Sequence, residues 1–591
     1  MIPLSRFFRF GHVENGERRF TAETMPRGFR LIGTGQIGGK ARGLAFIADH
    51  LERGGQISDH DHLVRLPDAS VVATDVFDAF METNSLSASV LARCQEEIGA
   101  EELSDRIVSG VFPSEARGAL RRFLEAEERP LVVRSSSVME DGPEHSFAGI
   151  YLSAFLSNTG PLERRLDALV LAIKRVYAST FGRNARAYRK QHGLDWENEK
   201  MAVLIQNMIG RHYPHDLFYP LIGGVGFSLN FYPWSDRLAP EDGVVRLVVG
   251  TGTRAVGREY ARVFSPKAPG IRPEGTDTAT VVKYSQETVD VLDMKRGFLV
   301  QTRLSRLDNP LLREVCSVVD LDGTMREPVG LLPPGARYVA TFARLIERDT
   351  LMPLTPLIRD LFVRLRALFE LPVDIEFAID FPSGPDGEGE LLFFLLQARP
   401  LGGRSEHRRI LLPVLSKECI LLECHEVLGN GLLRGIRHLV FVDPRTYRGD
   451  RAYAIARTVG RIGRGLEEER FVLIGPGRWG TSNPYLGVPV QYSEIAGASV
   501  IVEMATESFD PELSYGTHFF ADMVARGVLY LPFREEADDR FHRGLLEGLR
   551  VAYADDYVRH FSIPEGLDVY VDGKGKRGVI ALRQPVDTCS S

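Results

Sequence analysis

Apolar residues along this 591-residue chain fall into short strand-like runs separated by glycine-rich or polar turns, with clear helical stripes between some of them. Residues 29–32 form an apolar run. Residues 41–51 then place Leu44, Ile47, Ala48 and Leu51 on one face of an amphipathic helix, and 53–62 reads as a polar loop. Residues 131–133 read as a buried strand that delivers Arg134 to a hydroxyl-rich loop, Ser135 to Ser137. In 374–377 acidic and apolar residues alternate, so a strand there carries Asp374 and Glu376 on one face. A turn through 382–389 leads to a second strand that returns Gln397 and Arg399 alongside them. Toward the C-terminus, 438–444, 471–477, 499–505 and 527–533 read as buried strands between helical stretches such as 449–462, with a last hairpin through 572–578.

Three of these segments carry chemistry. In 33–44, GTGQIGGKARGL, glycines 33, 35, 38 and 39 let backbone N–H groups approach an anion, and Lys40 adds a positive charge. The spacing of Gly33, Gly35 and Gly38 also fits a dinucleotide fingerprint, but the polar loop at 53–62 stands where that motif needs its second strand and acidic residue. A P-loop is excluded because Thr34 and Ala41 occupy its Gly and Ser/Thr positions. Arg134 has the fork that binds phosphate bidentately, or it pairs with Glu140 or Asp141. The carboxylates and amide of Asp374, Glu376 and Gln397 suit Mg²⁺, or Glu376 and Arg399 form a cross-strand salt bridge.

Read together, Gly-Gly-Lys, then VVRSSSVMEDGPEHSFAG at 132–149, then DIEFAID and FFLLQARP within 374–400 resemble the N-terminal ATP-binding domain of the phosphoenolpyruvate synthase and pyruvate phosphate dikinase family. Residues 172–193, 201–210 and 223–230 resemble that family's helix, hinge strand and second-lobe strand, so the resemblance covers about 1–405. It implies an α/β, ATP-grasp-like fold with a first lobe at 1–210, a second at 211–405, and a separate α/β domain at 406–591. It further implies that Lys40 and Arg134 contact the phosphates, that Gln206 and Met208 lie beside the adenine, that Asp374, Glu376 and Gln397 hold Mg²⁺, and that Arg399 meets the transferring phosphate.

The family's complete enzymes carry a phosphohistidine in a Thr-Ser-His context and a TIM barrel. No Thr-Ser-His occurs among the 14 histidines, and the roughly 186 residues after 405 fall short of a barrel. Pyruvate is therefore not assigned as substrate. Where the family has Gly-Leu-Gly-Glu, this chain reads VVGTGTRAVGREYARVF (248–264), with Arg254, Arg258 and Arg262 at helical spacing: an anionic-substrate wall or a solvated helix face. In the C-terminal domain, GPGRWGTSNPYLGVP (475–489) offers backbone donors, Arg478, Trp479 and Tyr485 for an acceptor, or forms a rigid turn packed by Trp479. His518 follows Thr517 ahead of an apparent helix, as a phosphoryl-accepting nucleophile or a buried histidine.

Composition fits a cytoplasmic multidomain enzyme: 44% hydrophobic residues supply several cores, and the net charge of −7 argues against nucleic-acid binding. Five cysteines without paired spacing suggest reduced thiols. No signal peptide or membrane-spanning run is expected. The sequence therefore reads as an Mg·ATP-dependent phosphotransferase whose acceptor is a small molecule or a partner protein, with a homo-oligomer left open. A regulatory ATP-binding protein that switches by lobe closure is the alternative, and an oxidoreductase rests on the three glycines alone.

Overall fold

The structure is a computed structural model that describes residues 13–14, 17–18, 20–86, 100–140, 150–182, 185–186, 189, 194, 199–230, 233–235, 237–256, 261–273, 275–329, 332–381, 389–401, 412–413, 415–425, 427, 430–466, 469–481, 483–490, 494–495, 497–511, 528–535, 539–573 and 575–583. Two compact units emerge: unit 1 comprises Met1–Arg186 with Asp195–Gly402, and unit 2 comprises Ala187–Leu194 with Gly403–Ser591.

Unit 1 is built on two main sheets. A five-stranded sheet runs in the order Phe29–Ile32, Ala69–Val72, Met201–Asn207, Leu131–Ser137, Ser153–Leu156; a six-stranded sheet runs Arg262–Phe264, Val244–Val249, Ile222–Phe227, Val373–Asp380, Leu392–Pro400, Val64–Arg65. The edge strand Val64–Arg65 comes from the N-terminal part of the chain and pairs in parallel with Leu392–Pro400. Both expected lobes therefore share hydrogen bonds and fall within one unit.

The helix Gly38–Glu52 buries Ala41, Leu44, Ala45, Ile47 and Ala48 in a core that also contains Val71 and Leu204 of the five-stranded sheet and Ile375, Phe377 and Leu395 of the six-stranded one. That face follows the apolar spacing, but the helix begins three residues before the expected 41. Its N-cap, Ile37, has no capping side chain. Ser136 does that work from a neighbouring strand: its Oγ donates to the Ile37 carbonyl at 2.8 Å and accepts from the Ala41 N–H at 3.0 Å. Gly38 is required there, because at φ +72° a Cβ would fall 1.5 Å from the Ser136 carbonyl oxygen.

Two further elements differ from expectation. Ser135, Ser136 and Ser137 are not loop residues; they complete strand Leu131–Ser137, fully paired with Met201–Asn207 and buried, their hydroxyls satisfied inside the protein. Helix Leu162–Ser179 covers the start of the 172–193 stretch, with Leu166, Leu169, Val170, Ile173 and Val176 at helical spacing; residues 185, 186 and 189 are helical as well, and 183–184, 187–188 and 190–193 lie outside the described residues. Arg254, Arg258 and Arg262 share no helix. Arg254 is in the four-residue helix Thr253–Val256 and bonds Asp290 at 2.8 Å; Arg262 is on a strand and donates to the Pro269 carbonyl at 2.7 Å; Arg258 lies outside the described residues. Both described arginines are buried, so neither belongs to a solvated face.

Unit 2 is organised by one nine-stranded mixed sheet. Asn430–Val442, Phe471–Pro476, Ala498–Ala505 and Leu529–Arg534 are mutually parallel, and the last three, with Leu439–Val442 at the end of the first, are apolar runs buried on both faces, as parallel strands should be. Helix Ala452–Gly465 connects the first two, and the closing hairpin pairs Val558–Asp572 with Arg577–Leu582. The 475–489 segment forms a rigid turn: Trp479 is fully buried, donates Nε1–H to the Val502 carbonyl at 3.1 Å, and gives its backbone N–H to the buried Glu503 at 3.1 Å. Tyr485 alone of its two aromatics is exposed. His518 lies outside the described residues, as do 141–149 and 382–388.

Candidate active site

Strands Val373–Asp380 and Leu392–Pro400 pair antiparallel with Asp374 opposite Arg399 and Glu376 opposite Gln397, and a bulge follows Glu376. All four expected polar residues thus stand on two rungs separated by Ile375–Ala398, which puts them on one face of the sheet. Arg399 donates Nε–H and Nη2–H to one oxygen of Asp374, at 2.9 and 2.6 Å. Asp374 is 2% and Arg399 7% exposed, so this pair is deeply set. Glu376 does not take Arg399; it takes Arg134, which arrives from the five-stranded sheet and also donates to Gln397 Oε1 at 2.9 Å. Arg134 does not pair with Glu140.

Glu140 belongs to Lys40. In the first turn of Gly38–Glu52, Lys40 gives its ammonium to Glu140 and to Ser135 Oγ, the latter at 2.9 Å, with Glu140 fully buried. The structure therefore gathers the expected residues into two bonded clusters, Lys40–Ser135–Glu140 and Arg134–Glu376–Gln397, both anchored on strand Leu131–Ser137 through its consecutive residues Arg134 and Ser135. Arg399–Asp374 adjoins the second. Gln206 is spoken for elsewhere: its Nε2–H donates to the Leu396 carbonyl at 3.1 Å, tying the two sheets together. Met208 is buried with Phe218 and Leu292, beside Val132 and Phe155.

The glycine loop does something the sequence did not disclose. Asp75, at the start of helix Thr74–Thr83, accepts from the Thr34 N–H at 2.8 Å, the Thr34 hydroxyl at 3.1 Å and the Gly35 N–H at 2.9 Å, while Thr74 Oγ1 accepts from the Gln36 N–H at 2.9 Å. Three backbone donors at 34–36 are thus turned to an internal carboxylate and hydroxyl. Burial pushes the Asp75 carboxyl up, but the bonds from Thr34 and Gly35 outweigh it and hold it below the usual carboxylate range. Gly33, at φ +96°, has no room for a Cβ beside that carboxylate. The only local signal was a Thr-Asp pair following an apolar run.

The donor set suits a hard cation. Glu376 and Gln397 present a carboxylate and an amide carbonyl across one rung, the oxygen chemistry of Mg²⁺. Asp374, one face-sharing rung away, gives Oδ2 to Arg399 and so also orients that guanidinium. Among the described residues no group of three or more His, Cys, Asp and Glu converges as a metal centre.

Residues 34–410 match the family described as "Pyruvate phosphate dikinase, AMP/ATP-binding domain". The chain belongs to this family. Unit 1 thus has the family's ATP-grasp-like nucleotide-binding fold. Similar proteins include the phosphoenolpyruvate synthases of Aeropyrum pernix, 24% identical over 391 residues (62% of this chain, 40% of that enzyme), and of Deinococcus radiodurans, 24% identical over 398 residues (64% and 43%). A rifampicin phosphotransferase of Streptomyces sviceus is 32% identical over 166 residues, 26% of this chain and 18% of that protein. The chain thus spans less than half the length of these curated relatives. Among the described residues no helix is long and apolar enough to cross a membrane.

Proposed function

We propose that this chain is an Mg²⁺·ATP-dependent phosphotransferase, acting from the cytoplasm on a small molecule or a partner protein. The observation that carries the reading is Arg134, a guanidinium placed against both Glu376 and Gln397. A guanidinium, a carboxylate and an amide carbonyl are thereby within hydrogen-bond reach of one another, and with ATP bound Arg134 would turn to a phosphate while Glu376 and Gln397 turn to Mg²⁺. The similarity to a rifampicin phosphotransferase and to phosphoenolpyruvate synthases supports the reaction class.

In this reading Lys40 and Arg134 neutralise the triphosphate, and Arg399, held in one orientation by Asp374, faces the transferring phosphoryl group. The backbone after Gln206 and the Met208 side chain flank the base. Glu376 and Gln397 would hold Mg²⁺, which when bound supplies charge neutralisation between phosphate oxygens. Phosphoryl transfer asks mainly for positioning and electrostatics, and these residues supply both.

The test is to incubate the protein with Mg·ATP and candidate acceptors, then to separate ADP from AMP. AMP indicates dikinase chemistry, ADP simple kinase chemistry, and binding without either product supports a switch instead. Acid-labile label on the protein that disappears in His518→Ala would place the acceptor at that histidine; label that persists, or turnover without label, points to a diffusible acceptor.

A further inference from the structure

Unit 2 contains two imidazoles whose ring nitrogens point at each other. His438 is on strand Asn430–Val442 and His560 on its antiparallel partner Val558–Asp572, where His438 opposes Ser562 and Val440 opposes His560. The two histidines are therefore diagonal neighbours on one face of the sheet. His438 Nδ1 lies 3.0 Å from His560 Nε2, and the far nitrogen of His438, Nε2, lies 2.7 Å from Glu469 Oε2.

We propose that His438 Nδ1 and His560 Nε2 are a chelating pair for a divalent transition-metal ion of the zinc class, with Glu469 orienting His438 from behind. Metal–imidazole bonds of roughly 2.0–2.1 Å, set against the 3.0 Å separation, give a bite angle of about 95°. That suits octahedral or square geometry once the two rings, which now aim at each other with centroids 5.2 Å apart, turn to converge on one ion, and tetrahedral geometry once they also part by a few tenths of an ångström. A carboxylate on the outer nitrogen is the usual companion of a metal-bound histidine, because it fixes the tautomer and raises ligand basicity. Zinc, nickel and copper are the ions that imidazole favours.

Proton bookkeeping allows it. With His438 Nε2–H donating to Glu469, His438 Nδ1 is a lone pair and accepts the His560 Nε2–H. Metal entry then needs only transfer of the His560 proton from Nε2 to Nδ1, with no net loss. Among the described residues no third His, Cys, Asp or Glu completes the set. The site would staple the seam of the sheet: Asn430–Val442 pairs in parallel with Phe471–Pro476 on one side and antiparallel with Val558–Asp572 on the other.

The experiment is calorimetric titration of Zn²⁺ alone into the full-length, tag-free, chelator-stripped protein. The expected result is one saturable site per chain, weakened at least tenfold in His438→Ala and in His560→Ala, and by about ten- to a hundredfold in Glu469→Gln. The Glu469 side chain is 56% exposed, so that variant tests the orienting role without threatening the fold. No saturable site in the wild type, a site that survives both histidine substitutions, or one indifferent to Glu469→Gln would overturn the proposal.

Discussion

Glu140→Gln is the substitution that most sharply tests how the first cluster is held. The Lys40 side chain is 10% and that of Glu140 0% exposed, so the variant leaves a buried ammonium opposite a neutral amide. Removing one partner of a buried pair costs about 3–5 kcal/mol. The Ser135 contact at 2.9 Å survives and the amide still accepts a hydrogen bond, so the lower end, about 3 kcal/mol, applies. A domain of 150–250 residues loses about 2–4 °C per kcal/mol, and a larger unit loses less, so the unit 1 transition should fall by roughly 3–6 °C. The double variant Lys40→Met with Glu140→Leu removes both charges and should recover most of that loss. It should still bind Mg·ATP about ten- to 150-fold more weakly, because a charge-assisted phosphate contact of about 1.5–3 kcal/mol is gone. Thermal unfolding and nucleotide titration on the three proteins read both effects. A single variant within about 1 kcal/mol of wild type, beside a double variant no more stable, would refute the buried-pair argument.

Other outcomes follow from the same geometry. Burial pushes the Asp380 carboxyl up to about 6, partly offset by Arg211 at 3.2 Å, so the folded state holds a proton that the unfolded state gives up between about pH 4 and 6. Stability should therefore rise as pH falls from 7 toward 5, and denaturant titrations of Asp380→Asn should lack that rise. Asp75 has the opposite sign: its lowered pKa contributes stability above about pH 4 that is lost on further acidification, so Asp75→Asn should flatten the acid limb of the stability profile. Trp479→Ala should cost unit 2 about 3–5 kcal/mol by chemical unfolding, since the ring is fully buried; a loss under about 1 kcal/mol would return the 475–489 turn to the status of a binding loop.

Local periodicity was enough to read the hairpin that sets Asp374 and Glu376 against Arg399 and Gln397, the apolar face of the helix Gly38–Glu52, and the parallel strands of unit 2. What it could not reach were partners far apart in sequence. The helix starts early because Ser136, about a hundred residues away, caps it, and three consecutive serines looked like a loop because nothing local shows that their hydroxyls are satisfied inside a sheet. Arg134, Arg399 and Lys40 each had several acids within plausible reach. Which one each takes depends on how the sheets stack, and that choice assigns Glu140 to Lys40 and Glu376 to Arg134. Asp75 was missed for the same reason: a helix-start aspartate ordinarily caps its own helix, and here it reaches across to residues 34 and 35.

Calorimetric titration of Mg·ATP into wild type, Arg134→Ala and Glu376→Gln tests the central claim most directly. The account predicts stoichiometric binding by the wild type, affinity reduced by at least tenfold in Arg134→Ala, and loss of the Mg²⁺ dependence of binding in Glu376→Gln with the fold intact. Wild-type protein that fails to bind Mg·ATP, or variants that bind it with unchanged affinity and Mg²⁺ dependence, would contradict it.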